Sequence, residues 1–434
     1  MNQLPLHHQL AGIREKQWSP RELWEAHRRE SDPCNAFVSR FDDFVEPPPG
    51  PLHGAMLTVK DSLHLAGLPT SCGSRYPLAP RPARDAAAVA KLKAAGATIL
   101  GKTNCPEFLA NYETDNALTG FTANPWDRSR SAGGSSGGEA AAIASGLSAG
   151  GLGSDGGGSI RLPAHFCGIA GLKPTPGRIS AVGHVPEIAH PGGLLGVVGP
   201  MARSVADLQL LFDVLAGYDP ADPFSVPFTP RPFSLRGLRI GVVESFPMTP
   251  ETATALRQAA DILGGTEIFS FSGFVSSSAC WHFFFNVLTD PFKREIIATN
   301  PELAHWTGRE LLIEPPAQPS GVDVVKQLAL RDKLRAALLR QMEDVPVLLA
   351  PACAVTAFRP RERNWNGITL ADAMSCLTPF NLLGMPALTV PFALSSEGLP
   401  LGLQLIARPY CEELLLAVGQ QLEELRGSDL CELS

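Results

Sequence analysis

Short apolar runs alternate along the chain with alanine-rich stretches whose apolar residues recur at helical spacing. Residues 55–59, 98–100 and 238–243 are short, largely apolar runs typical of strands, whereas residues 85–96 and 139–147 favour helices. Strands that alternate with helices indicate βαβ units around a mixed or parallel sheet. The pattern therefore predicts an α/β fold.

The N-terminal segment is predicted to be helical, and a proline-rich stretch separates it from the rest of the chain. Ser19 can cap a helix in which Pro20 takes the first position and Glu22 the third. Residues 47–51 have the sequence PPPGP, which interrupts regular structure. We expect residues 1–48 to form this helical segment.

The length of the chain, 434 residues, would allow two or three domains. Large α/β enzymes often form one domain of this size, however, and 44% of the residues are hydrophobic. We expect a single domain over residues 1–434, with its core at 50–425 and a mostly helical lobe at 275–345. The longest apolar runs, such as residues 345–355, are too short and interrupted to span a bilayer.

Charge and cysteine content argue against several classes of protein. The net charge is −7 and no cluster of Lys and Arg is present, so nucleic-acid binding is not expected. The nine cysteines are widely spaced and form no CxxC or zinc-binding pattern, which favours buried, reduced thiols. They stand at positions 34, 72, 105, 167, 280, 353, 376, 411 and 431. Because the N-terminus also lacks the pattern of a signal peptide, we expect a soluble cytoplasmic protein.

Glycine and serine are concentrated in residues 131–163, and two short motifs there are weak. Residues 151–156 match the dinucleotide-binding pattern GxGxxG, but Pro163 follows where a helix should continue, and no acidic residue stands about 20 positions on. Residues 133–137 match the GxSxG pattern of a nucleophile elbow. Turn-forming residues, and not a buried strand, precede that motif.

A third interpretation of this stretch is a pair of glycine-flanked serines, Ser135 and Ser159, brought together in the fold. The glycines at 156–158 would present backbone N–H groups to the oxyanion that forms when a serine attacks a carbonyl. A structural glycine-rich turn with solvated serines explains the same composition equally well. The residues alone leave both interpretations open.

Longer motifs resemble the amidase-signature family. The resemblance begins with NPW at 124–126 and continues through GGSSGGEAA and GLGSDGGGSIRLPAHFCGIAGLKPTPGR. Further similar segments lie at 52–74, 96–108, 198–208 and 381–423, so that about residues 50–425 are covered in the expected order. The resemblance implies a large mixed central sheet covered on both faces by helices.

The resemblance also implies the site residues. The family's catalytic lysine falls on Lys60 in TVKD, its relay serine on a cis peptide falls on Ser135, and its nucleophile falls on Ser159 in GGSIR. The oxyanion donors would be the backbone N–H groups of Gly156, Gly157, Gly158 and Ser159. The family assigns Asp155 and Arg161 as a supporting pair and Ser154 as a hydrogen-bond partner.

A lysine can act as the base only in its neutral form. Lowering its pKa from about 10.4 to roughly 7–8 costs about 4 kcal/mol, which burial on an apolar strand can supply. Lys60 follows Met56–Val59, so the sequence is consistent with such burial. This chemistry needs no metal and no cofactor, and His165 is expected to pack beneath the loop and not to serve as a base.

The chain departs from the family pattern at Gly156, and it differs from one member of the family at two further places that bear on function. Gly156 stands where Thr or Ile is usual, so the oxyanion loop gains conformational freedom. Leu162 replaces the Gln typical of the A subunit of the tRNA-dependent amidotransferase, and residues 111–116 also differ from the pattern of that protein. We therefore expect an amidase that forms acid plus ammonia or amine. The alternatives are the amidotransferase A subunit, which is a glutaminase, and a catalytically inactive binding protein.

The substrate pocket is expected to include Trp281, Phe284 and Phe285, with residues 105–112 and 183–197. Aromatic residues at helical spacing fit a hydrophobic core as well as a pocket. We expect a small-molecule amide with an apolar acyl or aryl group as substrate. No nucleic acid, membrane, metal or cofactor is expected as a partner, and a homodimer is compatible with these expectations.

Overall fold

A large mixed β-sheet forms the centre of the computed structural model, which describes residues 1, 3–79, 81–189, 192–264, 267–313 and 318–427. The strands are β1 (Phe37–Arg40), β2 (Met56–Lys60), β3 (Thr98–Thr103), β4 (Gly150–Asp155), β5 (Ala170–Lys173), β6 (Val197–Ala202), β7 (Ile240–Val242), β8 (Glu267–Ile268), β9 (Val347–Pro351), β10 (Asn364–Trp365), β11 (Ile368–Thr369), β12 (Ala387–Leu394) and β13 (Pro400–Ala407).

The helices are α1 (Leu6–Arg14), α2 (Pro20–Arg29), α3 (Ala87–Ala94), α4 (Gly137–Ala144), α5 (Arg161–Cys167), α6 (Val205–Leu215), α7 (Pro250–Ile262), α8 (Phe274–His282), α9 (Asp290–Thr299), α10 (Trp306–Glu310), α11 (Gly321–Gln341), α12 (Leu370–Met374), α13 (Thr378–Leu382) and α14 (Glu412–Arg426). Short 3₁₀ turns lie at Glu107–Leu109, Gly192–Leu194 and Pro301–Leu303, and a π-helical turn lies at Phe283–Val287.

Eleven strands of the described residues join in one sheet. Their order is β1-β3-β2-β4-β6-β5-β12-β13-β9-β7-β8, while β10 and β11 pair separately. Strand β2 runs parallel to both β3 and β4, whereas β4 and β6, and β12 and β13, are antiparallel. The predicted α/β fold with a mixed sheet is confirmed.

Helices cover both faces of the sheet, as the alternation along β9 demonstrates. Val347 and Leu349 pack into the cluster that contains α3, α6, α7 and α14. Leu348 and Ala350 point to the opposite face and pack with α8, α11 and α13. Because successive side chains of a strand face opposite sides, each face receives its own hydrophobic core. The prediction of helices on both faces is confirmed.

Most predicted elements form close to their expected bounds. Ser19 caps α2 in a capping box with Glu22, as predicted. Strand β3, predicted at 98–100, runs on to Thr103 because its polar side chains find buried partners. Lys102 Nζ lies 2.6 Å from an Asp61 carboxylate oxygen, and the Thr103 hydroxyl donates to Glu139 over 2.7 Å.

The helical lobe predicted at 275–345 contains α8 to α11, with residues 314–317 outside the described part of the chain. The eight cysteines that the structure describes are free thiols, and all but Cys411 are buried, while Cys431 lies outside the described residues. Within the described ranges, none of the helices has the length and apolar character needed to cross a bilayer.

Candidate active site

The ends of two neighbouring parallel strands bring the predicted polar residues together. Lys60 is the last residue of β2, and Asp155 is the last residue of β4, after Ser154. The pairing of Val59 with Leu152 places both ends at the same edge of the sheet. In open α/β sheets, the carboxyl ends of parallel strands are where ligand sites form.

Lys60 is fully buried among hydroxyl and carbonyl oxygens. Its Nζ lies 2.7 Å from Ser135 Oγ and 3.0 Å from Ser154 Oγ, and it donates to the Ser154 carbonyl over 3.4 Å. Among the ion pairs of the described residues, none includes Lys60. Burial lowers the pKa of Lys60 from 10.5 to about 8, and nearby ionisable groups such as Cys105 oppose this only in part. The Lys60 ammonium therefore loses its proton more readily than that of an exposed lysine.

Ser135 and Ser159 enter the site from two adjoining loops. The peptide bond between Gly134 and Ser135 is cis, and α4 begins two residues later. The Ser136 N–H donates to the Ser159 carbonyl over 3.1 Å and ties the two loops together. Ser135, Ser154 and Ser159 all line one cavity. The structure thus gathers the two predicted serines and the lysine at one place.

A buried ion pair supports the loop that carries Ser159. The Arg161 Nε donates to Asp155 Oδ2 over 3.0 Å, and both side chains are fully buried. Burial alone would raise the pKa of Asp155, but the charge and hydrogen bonds of Arg161 outweigh it and hold that pKa well below its usual value. Asp155 is therefore a permanent carboxylate in the described structure.

The same carboxylate engages one of the four N–H groups expected to bind an oxyanion. The Gly158 N–H donates to Asp155 Oδ1 over 2.7 Å, and the Ile160 N–H donates to Oδ2 over 3.1 Å. The Gly158 backbone has a φ of +116°, which favours glycine. The Gly158 N–H is thus engaged by Asp155 in this structure, and its expected role as an oxyanion donor stays a prediction. This N–H closes the loop onto Asp155, and those of Gly156, Gly157 and Ser159 are the other candidates.

Two buried amides complete this network, and the sequence motifs did not indicate them. The Asn381 side-chain N–H groups donate to Asp155 Oδ1 over 2.9 Å and to the Leu195 carbonyl over 3.0 Å. Arg161 donates to Gln404 Oε1 over 3.1 Å. A signal was present, because each of these polar residues stands between two apolar ones: Asn381 between Phe380 and Leu382, and Gln404 between Leu403 and Leu405.

Two further unpredicted contacts hold the carbonyls of the glycine loop. The Trp281 indole N–H donates to the Gly156 carbonyl over 2.7 Å, and the Tyr112 hydroxyl donates to the Gly157 carbonyl over 3.2 Å. Trp281 stacks on Phe285 with ring centroids 4.7 Å apart and an interplanar angle of 16°. The loop is therefore held by an aromatic stack on one side and by Asp155 on the other.

Two cavities meet at Ser159. The first cavity, of about 450 Å³, has largely apolar walls that include Phe108, Ile188, Phe284, Phe292 and Ile296. The second cavity, of about 490 Å³, is bordered by Asn111, Tyr112, Trp281, Asn286 and Met374. Phe285 lines both cavities, as does Ser159.

The expected lining residues divide between these cavities. Phe284 borders the first cavity, Trp281 borders the second, and Phe285 borders both. Of the residues expected at 105–112, those from Phe108 to Tyr112 line one or both cavities. From the range 183–197, the first cavity includes residues 184–189 and 195–197, whereas His190 and Pro191 lie outside the described residues.

His165 takes no part in this site. Its ring is fully buried, Nδ1 accepts the Gly402 N–H over 2.7 Å, and Nε2 donates to the Val355 carbonyl over 3.0 Å. Burial lowers the pKa of His165 to about 4, so the ring is neutral and both nitrogens are occupied. Within the part of the chain that the structure describes, no group of three or more His, Cys, Asp or Glu side chains is placed to hold a metal ion.

Comparison with known proteins finds relatives over nearly the whole chain. Residues 38–416, which contain every site residue named above, match the model of the family described as Amidase. The A subunit of the glutamyl-tRNA(Gln) amidotransferase of Chloroflexus aurantiacus is 35% identical over 429 residues, which cover 87% of this chain and 83% of that protein.

Solved structures also superpose on this chain over nearly its whole length. A chain from a vestigial protein complex that bears on the evolutionary origins of an s-triazine catabolic enzyme superposes with a TM-score of 0.88 at 30% identity, covering 97% of this chain and 98% of that chain. A 6-aminohexanoate cyclic dimer hydrolase in complex with its substrate superposes with a TM-score of 0.84 at 28% identity, covering 99% of this chain and 100% of that chain.

Proposed function

The chain belongs to the amidase family, and we propose that it hydrolyses the amide of a small molecule to an acid plus ammonia or an amine through an acyl-enzyme on Ser159. The observation that carries the proposal is the buried Lys60 amine, which lies 2.7 Å from Ser135 Oγ and has no carboxylate partner among the described residues. A lysine whose pKa is about 8 can accept a proton near neutral pH.

In the first step, neutral Lys60 accepts the Ser135 proton while Ser135 accepts the Ser159 proton. The Ser159 oxygen then forms a bond to the amide carbon, and the carbonyl electron pair moves onto its oxygen. The N–H groups of Gly156, Gly157 and Ser159 bind that oxyanion. We do not assign the Gly158 N–H to the oxyanion, because it donates to Asp155.

In the second step, the tetrahedral intermediate collapses and the C–N bond breaks. The leaving nitrogen takes a proton from Ser135, which is replenished from the Lys60 ammonium. Water then attacks the Ser159 ester while Lys60 accepts a proton from it through Ser135. The bond between the acyl carbon and the Ser159 oxygen breaks, Lys60 returns the proton to that oxygen through Ser135, and the acid is released. Protons, bonds and charges balance over the cycle without a metal or a cofactor.

The supporting residues keep this geometry. Ser154 lies 3.0 Å from the Lys60 amine and gives it a second polar contact besides Ser135. Asp155 holds the N–H groups of Gly158 and Ile160, on either side of Ser159. Arg161 keeps Asp155 charged, so that the loop stays closed over the working pH range.

The walls of the first cavity favour a substrate with an apolar part. Phe108, Phe284 and Phe292 line it, and burial of apolar surface contributes about 25 cal/mol per Å². We propose an apolar acyl or aryl amide over a charged one. The test is a hydrolysis screen over short aliphatic, aryl, long-chain and amino-acid amides, with esters and Ser159→Ala as controls. Equal activity in Ser159→Ala would exclude the proposed mechanism.

A second candidate function is that of an amidotransferase A subunit, which the 35% identity to the Chloroflexus aurantiacus protein favours. Leu162 and the differing residues 111–116 argue against it. Glutamine hydrolysis that appears only beside a partner protein would support this candidate, and amide hydrolysis by the isolated chain would exclude it. Labelling of Ser159 by a fluorophosphonate probe excludes a catalytically inactive binding protein.

A further inference from the structure

The loop that precedes Ser159 has three consecutive glycines, and aromatic rings occupy the space where side chains would be. A Cβ atom on Gly157 would lie 2.3 Å from Trp281 Cζ2, and one on Gly156 would lie 2.9 Å from Phe285 Cε2. Both distances are shorter than a van der Waals contact. The two rings therefore rest directly on the backbone of the loop.

Glycine loses more conformational freedom on ordering than any other residue, so this loop must be held from outside. Asp155 and Tyr112 hold the peptide unit between Gly157 and Gly158 at both ends, through the Gly158 N–H and the Gly157 carbonyl. The preceding unit, between Gly156 and Gly157, is held by the Trp281 indole at its carbonyl. Its other end is the Gly157 N–H.

The direction of that N–H follows from peptide geometry. In a planar trans peptide, the C=O and the next N–H point to opposite sides. The Gly156–Gly157 bond is not among the cis peptides of the described residues. Because the indole fixes the carbonyl, it also fixes the Gly157 N–H on the side away from Trp281. A hydrogen bond donated to the carbonyl further polarises the N–H of the same peptide.

We propose that Trp281 is a positioning residue for amide hydrolysis, which acts through the Gly156 carbonyl to aim the Gly157 N–H at the oxyanion. Phe285 supports the indole by stacking on it, and the absence of a side chain at Gly156 makes room for Phe285. This proposal rests on the proposed function of Ser159 as nucleophile. It explains how a loop of three glycines is ordered without a larger residue at position 156.

A purely structural role for Trp281 is the competing explanation, because the side chain is only 8% exposed and belongs to the hydrophobic core. The two explanations differ over the indole N–H. A core residue needs the ring, whereas a positioning residue needs the hydrogen bond. A replacement that keeps the ring shape and removes the donor separates them.

The test compares Trp281→Phe with the chain carrying 3-benzothienylalanine at position 281, which preserves the shape of the indole and replaces N–H by sulfur. We expect kcat for an aryl amide to fall about 10-fold to 100-fold in both variants, with KM changed less than about 3-fold. The affinity for a trifluoromethyl ketone, which forms an oxyanion on the serine, should fall by the same factor as kcat/KM.

Trp18→Phe is the matched control, because it removes an indole N–H that donates to the Gln9 carbonyl over 3.2 Å, and Trp18 borders neither cavity at Ser159. We expect its kcat to change less than about 3-fold. Unchanged kcat and unchanged ketone affinity in the benzothienyl protein would overturn the proposal, even if Trp281→Phe fails to fold. Labelling of Ser159 by a fluorophosphonate in that same protein assigns the failure to Trp281 and not to the nucleophile.

Discussion

Two neighbouring strands each bury a lysine, and the two lysines have opposite surroundings. Lys102 on β3 lies 2.6 Å from an Asp61 carboxylate oxygen, and it also donates to the Pro69 carbonyl and to Thr70 Oγ1. Among the described residues, the Lys60 amine on β2 hydrogen-bonds only to the hydroxyls of two serines and to one carbonyl. The carboxylate places an opposite charge beside the Lys102 ammonium, whereas burial without such a partner lowers the pKa of Lys60.

This difference indicates that burial alone does not make a lysine a base. The two residues lie in adjacent positions of the β2–β3 pair, where Val59 is opposite Lys102 and Lys60 is opposite Thr103. Both are at most 2% exposed. The carboxylate of Asp61 is therefore what separates a structural ion pair from a candidate base.

The largest expected effect is the loss of activity when Lys60, the lysine that has no carboxylate partner, or either of its two serines is removed. Lys60→Ala, Ser135→Ala and Ser159→Ala should each lower kcat/KM for amide hydrolysis by about 10³-fold or more, because they act as one unit. The triple variant should lose little more than Ser159→Ala alone. Steady-state kinetics on a common aryl amide measures this. Full activity of Lys60→Ala at neutral pH would remove Lys60 from the mechanism.

The next largest effect is a loss of stability on substitution of Lys102. Lys102→Met should lower the free energy of unfolding by about 3–5 kcal/mol, because it leaves the Asp61 carboxylate buried and unpaired. Lys60→Met is the matched control and should lower the free energy of unfolding by less, because it leaves no carboxylate without an ion-pair partner. Urea unfolding followed by circular dichroism measures both. Equal losses in the two variants would contradict the comparison.

The pH dependence of activity tests the protonation state of Lys60. Because burial lowers the pKa of Lys60 to about 8 and only the neutral amine is a base, kcat/KM should rise as the pH increases through 8. The neutral fraction is about 0.09 at pH 7 and about 0.91 at pH 9, so the expected increase is about tenfold. A profile that is flat from pH 6 to 9 would contradict this assignment.

The smallest expected effect follows from removal of a single hydroxyl beside one of the two lysines. Ser154→Ala removes an oxygen that accepts a hydrogen bond from the Lys60 ammonium over 3.0 Å, so it should lower the pKa of Lys60 further. The acidic limb of the kcat/KM profile should then move to lower pH by less than about one unit, with a loss of plateau activity of less than about tenfold.

Thr70→Val serves as the control for this substitution, because it removes the corresponding hydroxyl 2.9 Å from Lys102. It should leave the position of the acidic limb unchanged. A shift of equal size in Thr70→Val would indicate a general change in the protein and not a direct contact with the base.

Much of the fold and of the site followed from local patterns in the sequence. The apolar run before Lys60 predicted a buried strand that ends at this residue, and the capping box at Ser19 predicted the start of α2. The clustering of Lys60, Ser135 and Ser159 followed from long motifs, and the structure places them at one edge of the sheet. Their catalytic roles stay predictions.

The remaining features depend on contacts between distant parts of the chain. Trp281 and Gly156 are 125 positions apart, and an aromatic residue at helical spacing fits a core as well as a loop contact. The engagement of the Gly158 N–H by Asp155 depends on the turn that the loop adopts, with a φ of +116° at Gly158. The carboxylate partner of Lys102 could not be read from its own strand, because Asp61 follows the neighbouring one.

Phe285 has a consequence for how substrates would be chosen. This one side chain borders both cavities, and Ser159 opens into both. If Ser159 attacks the amide carbon, the two halves of the substrate lie in the two cavities, which share Phe285, Leu109 and Ala110 as walls. Substitutions that touch only one cavity should then act on one half of the substrate, whereas substitution of Phe285 should affect the preferences for both halves. In a family member built in this way, substitutions in one cavity can change the preference for one half of an amide substrate while the preference for the other half is kept.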